Sequence, residues 1–380
     1  MRKKLVFCVL LLTGWNSLLY GQIKVTFKIG KLPSTTTNAN LFVAGDFNGW
    51  NPADKTSQFT KDKTGAYRLL RLLPKGTCNF KITRGSWQMV ECDASGKAIE
   101  NRSAVIVHDT TITINVAAWQ DNFKPEEKKH TASANVHIVS EKFDIPQLGR
   151  QRRIWIYLPA DYASSNKKYP VIYMHDGQNL FDEYTAGYGE WGIDEIMDKL
   201  PPKEQCIIVG IDHGGNYRIS EYDPYDSKYG KGQGDQYVEF LVKTLKPYID
   251  KHYRTETDAS HTTIAGSSMG GLISMYAMLK YPGVFGNGGI FSPSFWIAPE
   301  MYTYAQKSRL NRKLRFYFVC GSAESDSMVD DMHKMAELIR SKGISEGNTP
   351  ETLAKGAKHN EKQWHGDFPG FYSWLIGKSE

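Results

Sequence analysis

The sequence of 380 residues predicts a small all-β domain followed by a larger α/β domain with a mostly parallel sheet. Three observations carry this prediction. Short alternating segments separated by turn residues fill residues 22–120, and the charged segment 121–133 has no apolar periodicity. Apolar segments then alternate with helical patterns through residues 134–380. The length also fits two domains, at about 150 residues each.

The amino-terminal segment has the features of a secretory signal peptide. Arg2, Lys3 and Lys4 precede an apolar run at residues 5–12, which is too short to span a bilayer at about 20 residues. Cleavage after Gly21 would assign residues 1–21 to the signal and predicts an exported protein, periplasmic or extracellular, without membrane contact. A lipoprotein modified at Cys8 fits less well, because Cys8 lies inside the apolar run.

The charge balance is mild. The chain has 47 Lys and Arg against 41 Asp and Glu, a net charge of +6. This excess is too small to argue for a nucleic-acid partner. Apolar residues make up 41% and charged residues 23%, which is ordinary globular usage and argues against wholesale disorder.

Residues 22–120 predict an immunoglobulin-like β-sandwich of short strands. The predicted strands are KVTFKI, LFVAG, AYRLLRLL, CNFKI, WQMVE and TITINV. Cys78 and Cys92 lie at equal distances from Gly85. A hairpin centred on that glycine would place the two thiols opposite each other, close enough for a disulfide. Unpaired small residues on a sheet are the alternative. Segment 121–133 then reads as a linker.

Residues 134–380 predict the α/β domain. Two extended segments, NVHIVSEKF and RRIWIYLP, predict an opening antiparallel pair. The apolar segments PVIYMHD, CIIVGID, TTIAG, GNGGIFS and KLRFYFVCG follow as strands. Helical patterns separate them at residues 191–200, 235–253, 270–281 and 327–342. Continuous apolar strands that alternate with helices indicate a parallel sheet covered on both faces.

Residues 262–271, TTIAGSSMGG, contain the pattern Gly-x-Ser-x-Gly around Ser268. A predicted strand leads in and a predicted helix leads out, which is the context that a nucleophile elbow requires. Gly266 and Gly270 would let the backbone pass a tight turn, and the helix N-terminus favours developing negative charge. A glycine-rich turn that packs a helix on a sheet is the alternative. The flanking glycines frame Ser268 rather than Ser267.

A nucleophilic serine needs a base and an orienting carboxylate, in the chain order Ser, acid, His. Three histidines follow the serine. His333 lies in a helical pattern, His359 on a loop after the last strand, and His365 in a helical stretch, so His359 is favoured. The acid should follow the strand RFYFVCG, because strand ends present the site. Glu324 comes first there, and Asp326 is the alternative.

The oxyanion hole should combine the backbone N–H of Met269 with one from an earlier loop after a strand. Gly177 and Gln178 in HDGQNLF occupy such a loop, and the sequence does not choose between them. His175 and Asp176 lack a second cluster of metal ligands, so we expect loop scaffolding there rather than a metal. No metal or organic cofactor is expected.

The α/β segment resembles the putative-esterase family of α/β-hydrolases, the group that includes carbohydrate esterase family one and the enterochelin-type siderophore esterases. YMHDGQNLF, GIDHGGNYRISEYDP, LKPYIDKHYRT, AGSSMGG and GAKHNEKQWHGDFPGFYSWL carry the resemblance. It implies an α/β-hydrolase fold, Ser268 as nucleophile and His359 as base. His213 stands where the family usually has Asn. Arg218 and Glu221 look like a pair that holds this loop.

The first domain resembles starch- and glycogen-binding modules, such as that of the AMP-activated kinase β-subunit. VAGDFNGWNP and FKITRGSW carry this likeness. It implies that Trp50 and Trp87 stack on sugar rings, that Lys81 is the basic residue between them, and that Asn101 supplies a later polar contact. A purely structural cover on the enzyme is the alternative.

Together these features predict an exported serine esterase that removes acetyl or feruloyl groups from plant polysaccharide such as xylan. The expected partner is an acylated polysaccharide or oligosaccharide. A siderophore trilactone esterase with the same triad is one alternative. The other is a glycan-binding protein whose hydrolase domain is catalytically inactive.

Overall fold

The computed structural model describes residues 22–36, 39–124, 128–325 and 327–378. The chain divides after residue 126 into two compact units, and the division falls inside the predicted linker. The predicted signal peptide and Asp326 lie outside the described residues.

The first unit is built from β-strands in three sheets, as predicted. Its strands are β1 Ile23–Lys31, β2 Phe42–Gly45, β3 Thr60–Lys61, β4 Tyr67–Leu73, β5 Gly76–Thr83, β6 Glu91–Cys92, β7 Arg102–Ile106, β8 Thr110–Asn115 and β9 Ala118–Trp119. The sheet orders are β3-β4-β1-β8, β2-β5-β7 and β6-β9. Alternate residues of β1 are buried, and Phe27 of β1 packs edge-on against Phe80 of β5, with ring centroids 5.1 Å apart. The core therefore lies between the two larger sheets.

The prediction of a strand at WQMVE is wrong for most of the segment. Trp87–Met89 forms a 3-10 helix, and only Glu91–Cys92 remains as β6. This turn shifts the register, because Thr83 pairs with Val90 rather than with a residue mirrored about the expected centre. Cys78 then lies in β5 against β7, and Cys92 lies in β6 against β9. Both are buried free thiols, so the predicted disulfide is wrong.

The second unit contains an eight-stranded sheet in the order β10-β11-β13-β12-β14-β15-β16-β17. Its strands are β10 Val136–Ile145, β11 Arg150–Tyr157, β12 Val171–His175, β13 Ile207–Ile211, β14 Thr262–Ser267, β15 Asn287–Phe291, β16 Arg315–Gly321 and β17 Glu351–Ala354. β10 pairs antiparallel with β11, and β11 pairs antiparallel with β13. The remaining pairs, which join β13, β12, β14, β15, β16 and β17, are parallel. The predicted mostly parallel sheet with its opening antiparallel pair is confirmed.

Eight α-helices are found in the described part of the chain. They are α1 Ile193–Asp198, α2 Arg218–Tyr222, α3 Gly234–Phe240, α4 Lys246–His252, α5 Met269–Lys280, α6 Glu300–Lys307, α7 Met328–Ser341 and α8 Glu361–Leu375. A π-helical stretch, Leu241–Leu245, joins α3 to α4, so the helix predicted at residues 235–253 is continuous. Within the described residues, no helix has the length and apolarity needed to cross a membrane.

Both faces of the large sheet are covered, as its apolar strands require. Ile264 of β14 packs on one face with residues of α3, α5 and α7, whereas Ala265 packs on the other with residues of α1 and α8. Helix α5 is buried from Met269 to Leu279, which is why its sequence is apolar on every side. The strand ends that precede α5 are thereby held rigidly.

The two ends of the segment predicted as a linker make contacts in different units. Asp121 forms an ion pair with Arg84 in the first unit. In the second unit, the N–H of Thr131 donates to the carboxylate of Asp182 at 3.1 Å.

Candidate active site

Ser268 lies on a tight turn between β14 and α5. Its φ is 60° and its ψ is −120°, a region that residues other than glycine rarely adopt. A Cβ on Gly266 would lie 3.0 Å from the carbonyl carbon of Gly270 and 2.9 Å from the ring of His175. Gly266 is therefore sterically required, and the strained turn presents the serine at the end of its strand.

The hydroxyl of Ser268 contacts a second serine that the sequence did not predict. The Oγ atoms of Ser268 and Ser294 are 3.1 Å apart. The main chains are also joined, since Ser294 donates its N–H to the carbonyl of Ser268 at 3.1 Å. Ser268 in turn donates its N–H to the carbonyl of Phe291 at 2.9 Å. Among the described residues, no hydrogen bond joins Ser268 to His359.

Glu324 and His359 are directly paired. Oε2 of Glu324 lies 2.7 Å from Nδ1 of His359, and the Glu324 side chain is 1% exposed. Its other oxygen accepts hydrogen bonds from the hydroxyl of Ser292 at 2.6 Å, the N–H of Gly321 at 2.5 Å and the amide of Gln363 at 2.9 Å. Burial alone would raise the pKa of Glu324, but His359 and these donors hold that pKa below its ordinary value.

A tryptophan closes a ring of contacts around this pair. The edge of Trp364 meets the face of His359, with ring centroids 5.0 Å apart and an interplanar angle of 87°. Its indole N–H donates to the hydroxyl of Ser292 at 2.9 Å, and that hydroxyl donates to Glu324. The indole N–H of Trp364, the Ser292 hydroxyl, the Glu324 carboxylate and Nδ1 of His359 are therefore all hydrogen-bonded, which fixes the position of the imidazole.

The other two candidate histidines have different partners. Nδ1 of His365 donates to the carbonyl of Trp191 at 2.5 Å, and Nδ1 of His333 lies 3.0 Å from the carboxylate of Glu351. Neither is hydrogen-bonded to Glu324. Of the three candidate histidines, His359 is thus the one that is hydrogen-bonded to Glu324 in the described part of the chain. The alternative acid, Asp326, lies outside the described residues.

The residues of the site follow the carboxyl ends of neighbouring strands. Ser268 follows β14, Ser292 follows β15, Glu324 follows β16 and His359 follows β17, and these four strands are adjacent in the sheet. Parallel strands bring such ends to one edge, where an α/β fold carries its ligands. The segment Ser292–Ser294 bridges the two halves, because it bonds Glu324 on one side and Ser268 on the other.

The candidate oxyanion donors lie in the first turns of two helices. Met269 begins α5, and Gly177 and Gln178 begin a 3-10 helix after β12, which pairs with β14. None of their backbone N–H groups has a partner elsewhere in the described residues, as expected for first-turn groups. A Cβ on Gly270 would lie 3.4 Å from the carboxylate of Asp176, so the two turns meet.

Arg218 does not pair with Glu221 as predicted. It forms a bidentate ion pair with Asp176, with N–O distances of 2.7 and 2.8 Å. Glu221 is fully buried and instead accepts from Arg150 at 2.6 Å and from Arg152 at 2.7 Å. Burial would lower the pKa of Arg218, but Asp176 raises it, so the pair stays charged next to the candidate oxyanion turn.

A buried carboxyl group lies close to this ion pair. Glu361, the first residue of α8, is 8% exposed and accepts a long hydrogen bond of 3.5 Å from Asn179. Burial, with a contribution from the charge of Asp176, raises the pKa of Glu361 to about 7. The carboxyl group is therefore largely protonated below neutral pH.

The comparisons with known proteins bear on this site. A model of the Putative esterase family matches residues 145–375, more than half of the chain. The chain belongs to this family. The esterase is 26% identical over 220 residues to the endo-1,4-beta-xylanase/feruloyl esterase of Xylanibacter ruminicola, which covers 54% of this chain and 28% of that protein.

Two further similarities agree with this family assignment, and the second of them shows the same fold. The esterase is 31% identical over 150 residues to the iron(III) enterobactin esterase of Dickeya dadantii, covering 40% of this chain and 32% of that protein. A solved ferulic acid esterase is 21% identical, with a TM-score of 0.50, over 64% of this chain and 99% of the other. The predicted α/β-hydrolase fold and esterase class are thus confirmed.

The predicted sugar-binding residues of the esterase lie in its first unit. The rings of Trp50 and Trp87 are tilted by 34° with centroids 6.4 Å apart, and Trp87 is 37% exposed. Asn101 is exposed immediately before β7. Lys81 instead donates to the carbonyl of Ile99, and burial lowers the pKa of its ammonium group. The aromatic pair is therefore available at the surface, whereas Lys81 is engaged internally.

One group of side chains outside the site has the spacing of metal ligands. Ligand atoms of His333, Glu337 and Glu351 lie within 4.8 Å of one another. Arg340 forms ion pairs with both carboxylates, at 2.9 Å to Glu337 and 2.6 Å to Glu351. The arginine thus offsets one of the two negative charges of this group.

Proposed function

We propose that the esterase is an exported serine esterase that removes acetyl or feruloyl groups from plant polysaccharide such as xylan. The hydrogen-bonded pair of Glu324 and His359, at the strand ends next to Ser268, carries the proposal. A serine on a strained turn between strand and helix, with a buried acid and a histidine, has the parts of an acyl-transfer site.

In this mechanism Ser268 attacks the ester carbonyl, and His359 takes its proton and returns it to the leaving alcohol. Glu324 holds Nδ1 of the imidazole and stabilises its positive charge. The N–H of Met269, with that of Gly177 or Gln178, stabilises the oxyanion. Water then releases the acid from the acyl-enzyme by the same proton transfers. His359 must come within hydrogen-bond distance of the Ser268 hydroxyl as substrate binds, because no hydrogen bond joins the two among the described residues.

Exposed aromatic side chains near the nucleophile support a sugar or aromatic substrate. Trp296, two residues after Ser294, is 47% exposed and meets Tyr229 edge-on at 6.3 Å. The ammonium of Lys228 lies 5.0 Å from the Tyr229 ring and 5.9 Å from the Trp296 ring. An exposed indole can cover the C–H face of a sugar or stack on a feruloyl ring. The named activity of the Xylanibacter ruminicola relative favours the same class.

The first unit supplies a second argument for a glycan substrate. Trp50, which is half-buried, and Trp87, which is exposed, form a pair of indole rings on a β-domain. Such a surface suits the apolar face of a polysaccharide chain. We propose that this unit holds the polymer while the second unit cleaves its esters.

A siderophore trilactone esterase is the second candidate, favoured by the 31% identity to an enterobactin esterase. The two candidates differ in substrate but share the triad. Hydrolysis of acetylated xylan, methyl ferulate and a catecholate trilactone, each compared with the Ser268→Ala variant, separates them. We expect xylan or ferulate to be cleaved in a Ser268-dependent manner. Preference for the trilactone would favour the second candidate, and no cleavage of any ester would favour an inactive glycan-binding protein.

A further inference from the structure

We propose that Ser294 is a catalytic residue that donates a hydrogen bond to Oγ of Ser268 in the acyl-enzyme and so assists its release. The inference rests on the proposed function, because it requires an acyl group on Ser268. The two Oγ atoms are 3.1 Å apart, and Ser294 is 3% exposed. Among the described residues, neither hydroxyl has another hydrogen-bond partner.

The reaction fixes which of the two serines donates this hydrogen bond. Each hydroxyl has one proton, so at rest either serine can be the donor. When Ser268 gives its proton to His359, it can only accept from Ser294. Once Ser268 is acylated, its Oγ is an ester oxygen without a proton, and the contact survives only if Ser294 donates.

The main chain holds Ser294 in place for this role. Its N–H donates to the carbonyl of Ser268 at 3.1 Å, and its own carbonyl accepts the N–H of Ile297 at 3.1 Å. Ser292, two residues earlier, is bonded to Glu324 and has a strained φ of 43°. The hydroxyl of Ser294 is therefore preorganised next to the reacting oxygen and requires no backbone movement.

The hydrogen bond favours deacylation over acylation. In deacylation, water forms a bond to the carbonyl carbon and gives a proton to His359. The bond from that carbon to Oγ then breaks, its electron pair stays on Oγ, and His359 returns the proton there. A donor on Oγ stabilises the charge that this oxygen develops as it leaves. In acylation the same oxygen is the attacking nucleophile, and a donor does not help it.

Pre-steady-state hydrolysis of 4-nitrophenyl acetate by the Ser294→Ala variant tests the proposal. We expect the deacylation rate constant to fall about tenfold, as for loss of one hydrogen bond, with no decrease in the acylation rate constant. A burst approaching one nitrophenolate per active site should appear, and kcat should fall more than kcat/KM. Ser294→Thr, which keeps the hydroxyl, should restore deacylation.

Ser274→Ala is the matched control, because the Ser274 hydroxyl is buried without a partner among the described residues. It should match the wild type in both rate constants. If Ser294→Ala folds poorly, Ser294→Cys keeps a weaker donor and should slow deacylation by a smaller factor. Equal losses in both steps, or faster acylation with unchanged deacylation, would overturn the proposal. Retained activity in Ser268→Ala would instead overturn the proposed function.

Discussion

The carboxylate of Glu324 accepts four hydrogen bonds, and each has a separate structural origin. His359 lies on one oxygen, and Ser292, Gly321 and Gln363 lie on the other. The last three fix the carboxylate, so the first can fix the imidazole. This arrangement supports the proposed role of Glu324 in orienting the imidazole.

Substitution of the acid should therefore be costly. We expect Glu324→Gln to fold but to lower kcat/KM by about 10²- to 10⁴-fold, because the imidazolium loses its stabilising charge. Asp326→Asn should have a mild effect. Steady-state hydrolysis of an aryl acetate by both variants provides the measurement, and the reverse ranking would transfer the role to Asp326.

Glu361 should make stability depend on pH. Its pKa is about 7 in the folded chain against an ordinary value of 4.5, so the folded state holds a proton that the unfolded chain has lost. Stability therefore falls as pH rises from about 4.5 to about 7. Glu361→Gln should not show this decrease. We therefore expect its free energy of unfolding, relative to that of the wild type, to rise by roughly 3 kcal/mol between about pH 4 and pH 8.

Urea unfolding of both proteins across this pH range measures the difference. The exposed control Glu141→Gln should follow the wild type, because the Glu141 side chain is 67% exposed. A constant difference between Glu361→Gln and wild type at every pH would show that Glu361 does not titrate in this range.

At the scale of elements, the segment after β15 joins two halves of the site. Ser292 receives the indole N–H of Trp364 and donates to Glu324, whereas Ser294 contacts Ser268. The start of α8 contributes Gln363 and Trp364 from the opposite side. The acid–base pair is thus clamped between a strand end and a helix end.

Ser292→Ala should weaken this clamp. It leaves the buried indole N–H of Trp364 without its acceptor, and we expect a loss of about 1–3 kcal/mol in the free energy of unfolding. Turnover should fall less than in Glu324→Gln, because Gly321 and Gln363 still bind the acid. Trp364→Phe removes the same hydrogen bond from the other side. If Ser292 and Trp364 are coupled, the double variant should lose less free energy of unfolding than the sum of the two single losses. A loss equal to that sum would contradict the coupling.

The elements and residues that the sequence predicted share a strong local signal. Strands β12 to β16 are short, largely apolar and almost fully buried, and Ser268 is framed by Gly266 and Gly270. Strand β17 was missed because its residues are half-exposed or exposed, without an apolar run. Ser292 and Ser294 were missed because a serine after a strand has no motif, and their roles depend on long-range contacts. Arg218 was paired with its near neighbour Glu221, whereas buried Asp176 lies 42 residues earlier.

At the scale of the whole molecule, the proposed binding of polysaccharide by the first unit is tested on its exposed tryptophan. We expect Trp87→Ala in the full chain to abolish retardation on an acetylated-xylan affinity gel. Hydrolysis of a small aryl ester should not change, because a small substrate makes no contact with a polysaccharide-binding site on another unit. Leu72→Ala is the control, since Leu72 is 56% exposed on β4, whereas Trp87 lies in a 3-10 helix. Equal migration of wild type and Trp87→Ala would make the tryptophans packing residues.

The central claim is that an acyl group passes through Ser268. The most direct test is mass spectrometry of the esterase after reaction with 4-nitrophenyl acetate and a rapid acid quench. The account predicts one acetyl group per chain, located on the peptide that contains Ser268 and absent from Ser268→Ala, with longer accumulation in Ser294→Ala. Undiminished turnover in Ser268→Ala, or an acetyl group on another residue that forms and decays at the rate of turnover, would contradict it.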